Sequence, residues 1–280
     1  MDTNPAQLDT TGSNHDSEHH DRGLQFDLSA LVGRRRLLGL FSGGVGAAAL
    51  TACGLAGRGG SSGSATSTTT AAGSSGTLSE TPEETAGPYP GDGSNGVNVL
   101  SESGIVRSDI RSSFGSSTTT APGVPLTITI QVVDQTGAAQ AGHAVYLWHC
   151  DRDGKYSLYT VPNENYLRGV QETAGDGAVT FTSVYPACYD GRWPHIHYEV
   201  YPSLASATSA SSKKATSQIA LPRDVCQVVY ATSGYEQSVS NLERVSLTTD
   251  MVFGDSWQTE LGTVTGDTTS GYSCTLTCVL

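Results

Sequence analysis

Five short runs in which apolar and polar residues alternate lie between residues 124 and 253 of this 280-residue chain, and they limit the folds open to it. They cover residues 124–134 (VPLTITIQVVD), 143–151 (HAVYLWHCD), 177–186 (GAVTFTSVYP), 194–202 (PHIHYEVYP) and 243–253 (ERVSLTTDMVF), and turn sequences such as QTG, DRDG and AGDG lie among them. Alternation with a period of two places every second side chain on one face of a strand. Short runs of this kind, broken by Gly/Asp turns, predict an all-β fold: an antiparallel β-sandwich core with long loops and few short helices. One short helix is expected over 222–232, with Pro222 near its first turn.

The first 53 residues read as an export address. Arg34, Arg35 and Arg36 precede a glycine-rich apolar stretch (37–52), and Cys53 ends it in LTAC. Arg34 and Arg35 resemble the pair of a twin-arginine signal, and LTAC resembles a lipobox whose cysteine is lipidated. The apolar stretch is shorter than the ~20 residues a membrane span requires. The tail before it is polar; its HDSEHH could bind metal weakly, but is lost if the signal is cleaved. Residues 54–77 are a Gly/Ser/Thr/Ala tract that cannot bury enough surface to offset chain entropy, so they predict a flexible tether. The folded domain is then expected over 78–280. Loss of residues 1–52 removes four arginines and six acids and moves the formal charge from −12 to −10. An acidic chain with no Lys/Arg cluster beyond its N-terminal region argues against nucleic acid as a partner. Membrane contact is expected only through a lipid on Cys53, which places the protein on the outer face of the cell membrane or, if released, outside the cell.

The run CYDGRWPHIHYEV (188–200) raises a chemical question, because it holds two of only seven histidines. On a strand, His195 and His197 share a face. An H-x-H pair alone also fits an ordinary half-buried strand. Its company is more specific. Tyr156 lies in the context WHCDRDGKYS, Tyr189 in PACY, Arg192 three residues before His195, and Gln218 in TSQI. Together with YLRGVQ (166–171) and GPYPGDG around Tyr89, these motifs resemble, in order and context, the intradiol ring-cleavage dioxygenases, the family of catechol and protocatechuate dioxygenases. The resemblance runs from about residue 84 to beyond Gln218.

The resemblance implies a non-haem Fe(III) held by Tyr156, Tyr189, His195 and His197. The chemistry of such a set is coherent. A free phenol has a pKa of ~10, and a hard trivalent ion can hold it deprotonated. Two phenolates and one hydroxide balance three positive charges, whereas the ferrous facial triad uses two histidines and one carboxylate. By the same resemblance the substrates are a catechol-type ring and O2, and the product is a cis,cis-muconate-type diacid. Tyr189 is the ligand that substrate displaces and that takes up a substrate proton; Tyr156 and His195 stay equatorial, with His197 opposite Tyr189. Arg192 and Gln218 are implied as catalytic, Arg192 by stabilising charge on the substrate ring, and Tyr89 and Arg192 as substrate-binding. His149 should alternate away from Trp148 and is read as structural.

Five cysteines remain after Cys53: Cys150, Cys188, Cys226, Cys274 and Cys278. An odd number cannot all pair within one chain. Likeness to exported relatives suggests a Cys188 to Cys226 disulfide, while Cys274 and Cys278 are left open, to pair locally or with Cys150. The spacings do not match a zinc ribbon or finger. A tether stands where cytoplasmic catechol dioxygenases carry a helical dimerisation region, so no oligomeric state follows. Since fold does not imply activity, the alternative is a catalytically inactive surface binding module of the same fold. All four ligand positions being present favours the enzyme. A cupin-type H-x-H site would want a third, downstream histidine, and none follows His197.

Overall fold

The structure, a computed structural model, describes residues 77–280. The export segment, Cys53 and nearly all of the expected tether lie outside the described residues.

Among the described residues, eight strands form two four-stranded sheets. The strands are β1 (Pro125–Val133), β2 (Ala144–Trp148), β3 (Arg168–Glu172), β4 (Ala178–Val184), β5 (His195–Tyr201), β6 (Ala215–Ala220), β7 (Thr263–Asp267) and β8 (Gly271–Val279). The sheet orders are β4-β1-β8-β7 and β3-β2-β5-β6. All neighbours are antiparallel except β1 and β8, which run parallel. The sandwich is thus the expected one apart from that single parallel pair. No helix among the described residues is long and apolar enough to cross a membrane.

The core follows from alternation. Leu126, Ile128, Ile130 and Val132 of β1 face Val145, Leu147, Ile196, Tyr198 and Val200 of the other sheet, and all are buried. Full burial of each aliphatic side chain contributes about 1.5–3 kcal/mol, against ~0.5–1 kcal/mol of lost rotamer freedom.

β2 and β5 differ from β1 in being buried on both faces. The outward residues of β5 are His195, His197, Glu199 and Tyr201, all at most 2% exposed. Loops cover them. A polar strand face taken out of water must find partners or pay in desolvation, and the site is built on this face.

The strand expected over 243–253 does not form. A helix α2 (Glu236–Glu243) follows α1 (Arg223–Tyr230), and the chain then turns. Asp250 explains the difference: its Oδ1 accepts from the amides of Val252 and Phe253, and its Oδ2 from that of Trp193. These amides fold around a carboxylate instead of joining a ladder. The helix expected over 222–232 is α1, with Pro222 at its N-cap. The segment between β5 and β6 forms two single 3₁₀ turns. It is tied down by Lys213 Nζ on Glu199 (2.9 Å) and by the Ala210 amide on the Asp92 carbonyl (2.9 Å). It therefore returns the chain to β6 with Gln218 directly opposite His197.

Candidate active site

Four side chains from three parts of the chain converge on the outer face of β5. Alternation carries His195 and His197 to that face, and their Nε2 atoms lie 3.1 Å apart. The Tyr156 hydroxyl lies 3.4 Å from His195 Nε2 and 3.3 Å from His197 Nε2, and the Tyr189 hydroxyl 3.2 Å from His195 Nε2.

Each donor is aimed by its surroundings. His195 donates from Nδ1 to the Trp193 carbonyl at 2.5 Å, which leaves Nε2 as the lone pair. His197 is held instead by stacking on Trp148, with centroids 4.9 Å apart and planes 4° from parallel. The two residues are register partners on β5 and β2. Tyr156 ends the DRDG turn, where Asp151 Oδ1 accepts from the amides of Asp153 and Lys155. Its own amide is held by Thr160 Oγ1 at 2.7 Å. Gly154 has φ +77, and a Cβ there would sit 3.1 Å from Tyr189 Cβ, so this turn requires glycine. The Tyr189 loop hangs from α2: Ser238 Oγ accepts the Cys188 amide, and Asn241 Nδ2 donates to the Cys188 carbonyl.

Behind the Tyr156 loop lies Arg168, wholly buried, and its five N–H donors all meet neutral acceptors. They are Ser157 Oγ and carbonyl, the Tyr146 hydroxyl, and the carbonyls of Tyr89 and Pro90, at 2.8–3.0 Å. One guanidinium therefore ties β3 to the residue after Tyr156 and to the Tyr89 segment. Tyr89 packs at a tilt against Tyr156, with centroids 5.0 Å apart and planes 37° from parallel, and with Tyr156 and Tyr189 lines a cavity of about 490 Å³.

Electrostatics prepare the four groups unequally. Burial, then the nearby Arg192 charge, pushes His195 down to about 3; burial and His195 push His197 well below the usual imidazole range. Both rings are therefore neutral, the form that ligates metals. Burial, with Tyr189 next, raises the Tyr156 phenol well above its usual value. A phenolate there needs a cation beside it.

The set fits a metal. Two donors each about 2.1 Å from a shared ion and separated by right to tetrahedral angles lie roughly 3.0–3.4 Å apart, the range spanned by the four contacts. Nε2 lone pairs at 3.1 Å also repel unless a cation or proton lies between them. Among the described residues no three His, Cys, Asp or Glu side chains gather as ligands; here the phenols complete the donor set.

Comparison with known proteins agrees with this geometry. The model of a family described as Dioxygenase matches residues 107–205, which include both tyrosines and both histidines. An intradiol ring-cleavage dioxygenase from Tetranychus urticae superposes with a TM-score of 0.56 at 25% identity, over 72% of this chain and 94% of that one. The chain is similar in sequence and in fold to the intradiol ring-cleavage dioxygenases. A second dioxygenase structure superposes with a TM-score of 0.57 at 25% identity, over the same shares of the two chains. The chlorocatechol 1,2-dioxygenase of Rhodococcus opacus is 34% identical over 71 residues, which are 25% of this chain and 28% of that enzyme. The alignment thus spans less than a third of that curated relative.

In this dioxygenase-like chain, Arg192 and Gln218 stand behind the donors, not in the cavity wall. Arg192, 1% exposed, donates from Nε to Asp250 Oδ2 at 3.0 Å and from Nη2 to Gln218 Oε1 at 2.8 Å. Gln218 Nε2 in turn donates to the Thr85 carbonyl at 2.9 Å. Sequence reasoning reached Arg192 and Gln218 but missed Asp250 and Arg168. Nothing in the spacing marks Asp250. Arg168 lies inside the YLRGVQ motif that helped to carry the resemblance, but nothing in that motif assigned it a role.

His149 is structural, as expected: Nδ1 lies 2.7 Å from the Cys150 carbonyl and Nε2 2.7 Å from Ser183 Oγ. The cysteine expectation is corrected. Cys188 and Cys226 are free thiols, as are the other three. The Cys188 sulfur faces the Arg192 carbonyl at 3.5 Å, and that of Cys226 the Tyr185 hydroxyl at 3.3 Å. Local pairing of Cys274 with Cys278 fails on reach, since four residues along β8 span about 13 Å.

Proposed function

We propose that this chain is an exported non-haem Fe(III) enzyme that cleaves a catechol-type ring between its two hydroxylated carbons. Both atoms of O2 enter the product, a cis,cis-muconate-type diacid. The ring supplies the electrons, so no external reductant is consumed. The observation that carries the reading is the convergence of two phenols and two neutral imidazoles beside a cavity of about 490 Å³. Iron bound there would hold the phenols ionised and make the bound catecholate reactive toward O2.

The chain's own residues divide the remaining work. Tyr156, buried and tied through Thr160, is the fixed phenolate. Tyr189, half-buried at the cavity wall, is the exchangeable one and takes a catechol proton on its phenolate oxygen. His195 and His197 stay neutral throughout. Arg192, held by Asp250 and Gln218, supplies a fixed positive potential toward charge that develops on the ring. Tyr89 forms part of the wall against which the ring lies. Arg34 and Arg35 direct export, and Cys53 carries a lipid that leaves the domain outside the cell on its tether, where catechols from plant or other aromatic breakdown are met.

The test is the visible spectrum of the full-length iron-loaded protein before and after anaerobic catechol. A tyrosinate-to-iron charge-transfer band that moves to longer wavelength with catechol is the expected result. A protein that stays colourless after iron loading overturns the assignment and leaves a binding module of the same fold. Alanine at Cys53 should release the protein from the membrane fraction; unchanged fractionation would overturn the anchor.

A further inference from the structure

Of the two phenols, Tyr189 is the less enclosed. Tyr156 is 2% exposed, and its ring packs on Tyr89 and edge-on to His197. Tyr189 is half-buried, its ring meets His195 and Tyr156 edge-on at 5.5 and 6.1 Å, and the cavity opens beside it. The main chain that carries Tyr189 is held far more firmly than its ring. Cys188, just before it, is gripped at both backbone groups: the amide donates to Ser238 Oγ at 3.0 Å, and the carbonyl accepts from Asn241 Nδ2 at 2.7 Å. Asp190, just after it, pairs with Arg244 Nη2 at 2.7 Å, and the same nitrogen donates to Asn241 Oδ1 at 2.6 Å. Ser238, Asn241 and Arg244 stand three residues apart along α2 and its C-cap, which puts them on one helix face. Ser238 and Asn241 are at most 5% exposed, whereas both members of the Arg244–Asp190 pair are more than half exposed and add little. The two buried contacts therefore dominate: each contributes about 0.5–1.5 kcal/mol net, and a buried group left without its partner costs ~1–3 kcal/mol.

We propose that α2 is the cradle of Tyr189, with Asn241 and Ser238 as positioning residues that hold the main chain beside it while Arg244 steadies the other flank. The inference rests on the reading of Tyr189 as the exchangeable phenolate. With the backbone fixed on both sides, release of the phenol is a rotation about its own side-chain bonds between staggered wells, and the ring returns to the same place after each turnover. A backbone free to drift would misplace the phenol, and a shift of about 1 Å in a reacting group costs of the order of 10²-fold in rate. These side chains lie beyond residues 107–205, the span that the family model matches, so the device comes from the chain's own C-terminal part.

The experiment uses the full-length protein and the variants Asn241→Leu and Ser238→Ala, with Tyr189→Phe to assign the tyrosinate lines. Resonance Raman spectra of the iron-loaded proteins separate the two tyrosinates. In Asn241→Leu, and more weakly in Ser238→Ala, the Tyr189 lines should shift or lose intensity while the Tyr156 lines stay in place. Turnover of catechol by Asn241→Leu should fall about tenfold, the scale of one hydrogen bond. In the iron-free proteins, amide hydrogen exchange should quicken at residues 188–190 and not in the turn that carries Tyr156. Tyrosinate lines that both variants leave unchanged, or that both tyrosines lose in equal measure, would overturn the proposal and spare the ferric reading. Exchange at 188–190 equal to the parent's would overturn it as well. A parent protein without tyrosinate lines after iron loading would remove the ferric reading and this one with it. Should Asn241→Leu not fold, Ser238→Ala decides alone.

Discussion

Arg192 and Asp250 form an ion pair of 3.0 Å in which neither side chain is more than 1% exposed. Asp250 Oδ2 also accepts the amide of Trp193, whose carbonyl aligns His195. The carboxylate lies 57 residues from Trp193 in sequence, yet in space it anchors the turn that enters β5. Removing one partner of a buried pair leaves the other charge uncompensated. Asp250→Ala should lower unfolding stability by about 3–5 kcal/mol. Denaturant titration checks this, and a loss under about 1 kcal/mol would mean that water reaches Arg192.

Tyr156 and Tyr189 should not be equivalent. Tyr189→Phe removes the proposed proton acceptor at the cavity wall, so iron should stay bound while turnover falls at least ~10²-fold. Turnover within a few-fold of the parent, with iron content matched, would remove Tyr189 from the chemistry.

Arg168 is the bolt between β3, Ser157 and the Tyr89 segment. Arg168→Met deprives several buried acceptors of their donors at once, at roughly 1–3 kcal/mol for each group left unsatisfied. It should shift the charge-transfer band as Tyr156 loses its support. A destabilised variant with an unshifted band would limit Arg168 to a structural role.

Glu260 lies buried beside Ser217, and burial, then Glu84, raises it to about 9. The sign follows directly. Below the ordinary carboxylate range, about 4.5, folded and unfolded chains both carry the proton and nothing is lost. As pH climbs from there toward about 9, only the unfolded chain releases it, and stability declines. Glu260→Gln should therefore gain stability relative to the parent as pH rises from 5 to 9, values that bracket the group's shift. Denaturation of both proteins across that window gives the answer; a pH-independent difference would show that Glu260 ionises freely in the fold.

Much of the site was legible because it is local. Alternation on β5 is a property of adjacent residues, so it put His195 and His197 on one face and Ile196 in the core before any fold was known. The same rule gave β1, β2 and β4. It misread 243–253, where a β-branched run bends around the Asp250 carboxylate, and it could not show β8 lying parallel to β1, because a partner strand leaves no mark in its own composition.

What the residues alone determined, then, is the two-period pattern that makes a sandwich and the motifs that name four donors. What only the tertiary structure decided is which buried polar groups meet. Asp250 on Arg192, Arg168 on five neutral oxygens and Trp148 against His197 each join parts of the chain that are distant in sequence. Such contacts arise because polar groups taken from water by the packed sheets are stabilised by the partners that the fold brings near them.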